Sequence, residues 1–493
     1  MMHCRSLVAY ALVAAFAGIA CAPAALRAQT TVAAPSPAPS ATASGTPIPY
    51  PAYGTPAPDV AAQVAKPGVP TTISLTQAID IAVLQSPAFA SERAQYRAIL
   101  ARYQSEREAV FPNLAGSASV QRQYGGTATR GFGGVTSTPL PGASPGPAVL
   151  SGPFTTISGQ IALTQLIYDG GRVIAAIRSA KESNAAGLDT LIRQLQTLGY
   201  TVAQAYYGVL QADATVSSDA SLVRQFETQE RNVTAQVRAG AAARSDLAAA
   251  QFQTAQARGA LVTAQGLQIA AQSTFATTLG LDADALVRPQ TSGGTTPRTL
   301  GYGAALSTAL AARPDYMAAE HTVESAKENV RYAKLARFPA LNANASTGYS
   351  ESLPTTTPKL ESGQSLGATL TIPIFDQGLT NYNVALAASQ LDQATAGLFS
   401  TKLTVESDVR GALANIISAR ASLVQAQAEL RAAQVNLDAF QARYRVGAAT
   451  ITDLVTAEAN LATAQRDNVT AVYNERVAEE RYLFALGTSD LRL

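Results

Sequence analysis

Four landmarks of the sequence occur twice in the same order, so the fold must be built from two similar units in tandem. "SLTQAIDIAVLQSP" at 74–87 is echoed by "GYGAALSTALAARP" at 301–314, and "AVFPNL" at 109–114 by "ARFPAL" at 336–341, both offset by 227 positions. "LIYDGG" at 166–171 answers "PIFDQG" at 373–378, and "TLGL" at 278–281 answers "ALGT" at 485–488, both offset by 207. The lengths differ only between the two sets of landmarks. The first unit spans 71–280 and the second 301–488, with 281–300 read as a linker.

Between the landmarks the hydrophobic period changes to two. Leu366, Ala368, Leu370, Ile372 and Ile374 alternate with Gly367, Thr369, Thr371 and Pro373, the pattern of a strand with one apolar face. Each unit then holds one hairpin, with strands over about 112–125 and 154–168 in the first and about 340–350 and 364–376 in the second. Strands of roughly 10 residues cross a bilayer when tilted. Four strands cannot close a barrel alone, and open edges in lipid are costly, so closure has to come from other copies.

After each hairpin the text turns helical. Leu188, Leu191, Leu195, Leu198, Val202, Ala205 and Val209 step by three and four, a coiled-coil seam that recurs at Val405, Val409, Ala412 and Ile416. The runs 170–236 and 377–443 predict helices about 100 Å long at about 1.5 Å per residue. Shorter helices over 245–279 and 452–486 return along them. The turns fall in "VRAGAAARSDLAAAQ" and "YRVGAATITDLVTAE", with tips at about 237–246 and 444–453. Gly240 and Gly447 supply the positive φ of a helix C-cap, and Ser245-Asp246 and Thr452-Asp453 the next N-cap and its favourable charge.

Composition agrees with helices laid side by side. Apolar residues are 47% of the chain, mostly Ala, Leu and Val, with no Trp and 6% aromatics. A net charge of +2 offers no basic face for nucleic acid. Both cysteines, Cys4 and Cys21, lie in the first 21 residues, leaving the body no thiol and one histidine, His321. No metal site, cofactor site or catalytic constellation is expected, and His321, between Glu320 and Glu324, is read as a solvated histidine.

Residues 1–28 have the basic, apolar and small-residue succession of a secretory signal. Cleavage after Ala28 and lipidation at Cys21 both fit it. Residues 29–70 are Pro/Ala/Ser/Thr-rich and read as a disordered linker.

The duplicated order, with "FPNL" before one hairpin, "YDGGR" after it and the "VGAATITDL" tip, resembles the TolC-like outer membrane efflux family from about Ile73 to Gly487. The resemblance implies a mainly α fold with a β-barrel part. A homotrimer would form a twelve-stranded outer-membrane barrel continuous with a periplasmic coiled-coil barrel. It implies outer membrane lipid around the strands, a periplasmic adaptor at the tips and an inner-membrane pump beyond. The function implied is a passive exit duct for efflux or type I secretion, and not an enzyme. The alternative class is a periplasmic coiled-coil adaptor or scaffold without a pore.

By motif match, Asp453 takes the first acidic gate position of the family. The second is Thr456 here, with Glu458 nearby as a further candidate. The Asp453 carboxylate serves as a cap alone or as cap and gate. Asp246 would face Tyr444 across the closed tip, and the basic residue that completes that contact in the family is Ala449 here. Arg238, Gly240, Arg244, Arg445 and Gly447 mark the expected adaptor-docking surface.

Overall fold

The computed structural model describes residues 71–124, 127–128, 150–151, 154–291, 299–353 and 361–488. The expected signal, the linker at 29–70 and Cys21 lie outside the described residues. The first elements are β1 (Thr71–Ile73), α1 (Leu75–Gln85), α2 (Pro87–Glu108), β2 (Asn113–Gln123), β3 (Thr127–Ala128), β4 (Leu150–Ser151), β5 (Phe154–Tyr168), α3 (Arg172–Arg238) and α4 (Arg244–Thr278). Then follow β6 (Val287–Pro289), α5 (Tyr302–Ala312), α6 (Pro314–Leu335), β7 (Ala340–Leu353), β8 (Glu361–Thr371), α7 (Leu379–Arg445) and α8 (Ile451–Leu486).

The long strands form one antiparallel sheet in the order β2-β5-β7-β8, so β5 and β7 join the two hairpins and β2 and β8 remain its edges. Its register sorts side chains by polarity. Leu114 and Val120 pair with Leu163 and Ile157, and Ala345 with Leu366, all on one face. Ser119 pairs with Ser158 and Ser346 with Ser365 on the other, each pair with hydroxyls 2.8 Å apart. On the apolar face Leu114, Val120, Ile161, Leu366 and Leu370 are all exposed. β8 stops at Thr371, short of the expected 376. The next residues include Pro373, which has no N–H to give a ladder.

Both long helices start the same way. Asp169 accepts from the backbone N–H of Gly171 and Val173, at 2.9 and 2.6 Å, and Asp376 from Gly378 and Thr380, at 3.1 and 2.8 Å. These carboxylates satisfy amide groups that a first helical turn leaves without partners. Each helix then runs 67 residues. No proline interrupts either one, and the length comes to about 100 Å.

Packing holds the helices where the short ones cross them. Val202, Tyr206 and Val209 of α3 are buried with Ile81 of α1 and Phe275 of α4. Val405, Val409 and Ile416 of α7 meet Ala305 and Ala309 of α5 and Tyr482 of α8. Fully burying one such aliphatic side chain contributes about 1.5–3 kcal/mol. The segment read as a linker at 281–300 is not all linker: β6 pairs in parallel with β1, burying Val287 against Ile73. Three residues are too short a run for periodicity to register.

Arg313, at the α5–α6 junction, is 1% exposed. Its guanidinium donates to Asp315 at 2.6 and 3.0 Å and to Asp408 of α7 at 3.0 Å. Arg193 of α3 lies 3.7 Å from Asp315 and sits over the Phe484 ring of α8, 3.8 Å from its centroid. Four helices thus meet at one charged knot. Burial and the Arg313 hydrogen bonds act in opposite senses on Asp315, and the pairing holds its carboxyl below the usual range. Replacing one partner of such a buried pair strands the other charge. Arg313→Ala is expected to cost about 3–5 kcal/mol, seen as a lower midpoint for thermal loss of the helical circular-dichroism signal; an unchanged midpoint would contradict it.

Candidate functional site

The two hairpin tips are built by one device. In each, the long helix ends in a Schellman turn: Gly240 donates to Val237 O at 3.0 Å and Ala241 to Gln236 O at 2.8 Å. Gly447 donates to Tyr444 O at 3.0 Å and Ala448 to Arg443 O at 2.8 Å. Gly240 and Gly447 have φ of 74° and 75°, which a residue with a Cβ adopts only under strain.

The returning helices begin earlier than the sequence suggests. Their N-caps are Ala243 and Thr450, and Asp246 and Asp453 stand at the third helical position. Thr450 and Asp453 form a reciprocal capping box: Asp453 N donates to Thr450 Oγ1 at 3.2 Å, and Thr450 N to Asp453 Oδ2 at 2.9 Å. In the first tip only half of this exists, Ala243 N donating to Asp246 Oδ2 at 3.3 Å, because alanine has no oxygen to return. A box places its acidic member three residues after the cap, so Ser245 and Thr452 are not caps.

Asp453 is exposed, and the hydrogen bonds from Thr450 hold its carboxyl below the usual range. Its Oδ2 caps the helix, accepting from the Thr450 backbone N–H and hydroxyl. Thr456 is exposed, its hydroxyl turned back to Thr452 O at 2.8 Å. Tyr444 is half-buried and donates to Gln236 Oε1 at 3.4 Å, joining the two hairpins. Asp246 is not its hydrogen-bond partner, yet burial and then the Asp246 charge both push the Tyr444 hydroxyl up. Arg238, Arg244 and Arg445 are exposed beside Gly240 and Gly447.

Glu458 departs from the expectation of a pore-facing carboxylate. It is 3% exposed, on the α8 face that carries Leu454, Leu461 and Ala462. Leu454 and Leu461 pack on Leu437, and Ala462 on Leu222 and Phe226. Burial pushes its carboxyl up to about 7. Helical phase explains the error: a position two after Thr456 lies on the opposite side of the helix.

Elsewhere, His321 is not simply solvated. Its Nδ1 is 2.8 Å from Glu182 Oε2 and its Nε2 3.8 Å from Asp189 Oδ2, both on α3. Burial raises the Asp189 carboxyl, and the facing imidazole opposes this. The Glu320 and Glu324 neighbours in sequence are not its partners. Among the described residues no cluster of three His, Cys, Asp or Glu side chains could hold a metal, and no helix is apolar enough to cross a membrane. The knot of Arg193, Arg313, Asp315 and Asp408 was invisible in the sequence, since its members are far apart there; only the unequal pair Ser86 and Arg313 at matching positions signals it.

A sheet with one apolar face, rooted on helices about 100 Å long, is the build of an outer-membrane channel with a periplasmic extension. The sequence profile of the outer membrane efflux protein family matches residues 78–281 and 305–488, and the chain belongs to that family. It is 26% identical to outer membrane efflux protein BepC of Brucella suis over 333 residues, 68% of this chain and 72% of BepC. With outer membrane protein TolC of Escherichia coli it shares 26% over 346 residues, 67% of this chain and 69% of TolC. The crystal structure of outer membrane protein VceC from Vibrio cholerae superposes with a TM-score of 0.68 at 17% identity, over 84% of this chain and 96% of VceC. The protein is therefore an outer membrane channel whose helical part lies in the periplasm.

The Glu458 carboxyl titrates near 4.5 when unfolded and at about 7 when folded. Its contribution to tip stability is full below the lower value and lost as pH rises through the upper one, a change on the order of 3 kcal/mol. Amide exchange over residues 444–461, corrected for intrinsic rates, is expected to be faster at pH 8 than at pH 5. Glu458→Gln should flatten that dependence, and a variant that keeps it would show that another group is responsible.

Proposed function

We propose that three copies of the chain, a tandem duplication of one helix-strand unit, close a twelve-stranded barrel in the outer membrane. That barrel would act as the passive exit duct of a tripartite efflux or type I secretion system. The sheet carries the proposal: one exposed apolar face, one hydroxyl-rich face and two unpaired edges, β2 and β8. In hydrocarbon every backbone polar group needs a partner, so β8 of one copy has to meet β2 of the next. Two copies would give eight strands, a barrel filled by its own side chains, whereas twelve leave a lumen.

The helices support the same assembly. On α4, Phe252, Val262 and Ile269 are exposed and, with Ala255, Gly259 and Gly266, step by three and four. On α7, Leu403, Ile417, Val424 and Val435 form a second exposed stripe. Two such seams on one protomer suit a ring in which each copy packs on the next.

At the tips, three Asp453 carboxylates would meet on the axis, concentrate negative potential and favour cations. Arg238, Arg244 and Arg445, exposed and without ion pairs among the described residues, are the positions proposed to receive a periplasmic adaptor. That adaptor would couple the duct to an inner-membrane pump. The chain itself would supply a path and a closed tip, and no chemistry. A pore-free periplasmic scaffold would have no use for the exposed apolar sheet face.

Purified protein in a planar lipid bilayer is expected to give small cation-selective conductance steps, with weaker cation selectivity and larger steps in Asp453→Ala. Equal steps in both would leave Asp453 a cap only. Protein that stays soluble without detergent and never conducts would remove the barrel and leave the scaffold.

A further inference from the structure

A cavity of about 420 Å³ lies where the sheet meets the helices, between the start of α3 and the α6–β7 junction. Ala340 and Thr371 form part of its wall and pair with each other on the polar face of the sheet. Its size falls in the range of small-ligand sites, and its lining is mostly apolar with few polar groups, as such sites are.

Arg172 enters this cavity from the first turn of α3. Its guanidinium lies over the Tyr332 ring, 4.3 Å from the centroid. Its Nε is shielded from solvent and has no hydrogen-bond partner, and the side chain forms no ion pair among the described residues. Asp169, three positions earlier, is committed to the amides of Gly171 and Val173. A half-buried cation held on an aromatic face, with no ion pair among the described residues, can pair with an anion from outside the chain.

The internal duplication supplies a control. At an offset of 207, Arg172 matches Leu379, and at 227, Tyr332 matches Ser105. α7 begins with the same Asp-Gly cap as α3 and needs no guanidinium there. Neither the cation nor the ring beneath it is required to start a long helix below a strand. The apolar side of the cavity is also closely fitted: a Cβ at Gly170, which has φ of 71°, would stand 2.5 Å from the Phe338 Cβ.

We propose that this cavity binds amphiphilic organic anions in transit, the anionic head on Arg172 and the apolar body against Leu335 and Phe338. The inference rests on the channel reading, which makes the polar face of the sheet the wall of the lumen. A lipid headgroup is disfavoured because the cavity wall lies on that polar face and not on the exposed apolar one.

The test uses 2-naphthoate and its neutral isostere 2-naphthamide in equilibrium dialysis against purified full-length protein in detergent. Wild type is expected to hold the acid roughly tenfold more tightly than the amide, the margin a charge-assisted bond provides. Arg172→Leu and Tyr332→Ser, which install the residues of the other repeat, should remove that margin, and Arg172→Lys should keep part of it. Equal binding of acid and amide by wild type, or an undiminished margin in Arg172→Leu, overturns the site. On the same preparations in planar bilayers, 2-naphthoate should reduce wild-type conductance and not that of Arg172→Leu. Binding without any block of a conducting channel would place the site off the transport path and overturn its transit role. Failure to conduct at all would sink the channel reading, while the dialysis still decides whether the anion site exists.

Discussion

The rest of the structure depends on the hydrogen-bonding demand of two strand edges. β2 and β8 each present a row of N–H and C=O groups with no ladder partner among the described residues. Water could satisfy them, but the apolar face beside them, with Leu114, Val120 and Leu366 exposed, belongs in hydrocarbon, where water is absent. The sheet is therefore regular in register, with two open edges among the described residues. Each β-hairpin is flanked by helices at its base, so closure of the sheet by further copies, as proposed above, would also bring the exposed stripes of α4 and α7 together.

The helical part meets a different demand, which is to stay straight and aligned over about 100 Å with small side chains. Alanine permits close approach but contributes little buried area per residue. The larger contributions are concentrated where α1 and α5 cross the long helices and in the knot of Arg313, Asp315, Asp408 and Arg193. Stability is local, and the tip lies far from both centres. Its own order comes from two Schellman turns, one full capping box and the small cluster around Leu437 and Leu454. A tip held by so few contacts, with the carboxyl of Glu458 buried beside them, belongs to the less stable part of the fold.

Departures from symmetry between the two units are informative for the same reason. Where both need a feature for folding, both have it: the Asp-Gly start of the long helix, the positive-φ glycine at the tip, the short helix laid across the seam. Where only one has it, as with Thr450 against Ala243, Arg313 against Ser86, and Arg172 against Leu379, the common fold does not require it.

The sequence by itself determined the elements and their order. Period two marked a strand over 366–371 but ran on past its end, three-and-four spacing marked the seam through Val202 and Val209, and Gly240 and Gly447 marked the turns, because each of these is a short-range consequence of backbone geometry. It did not determine which residues meet across elements. Glu458 is a gate candidate by its nearness in sequence to Asp453 and Thr456, whereas helical phase buries it. His321 reads as a solvated histidine beside Glu320 and Glu324, whereas it faces Glu182 and Asp189 on another helix. Arg193, Arg313 and Asp408 come from three segments and carry no common pattern. The β1–β6 pair is too short to show a period. Those facts depend on how helices rotate and stack in three dimensions, and that rotation is decided by packing between distant segments rather than by any local run of residues.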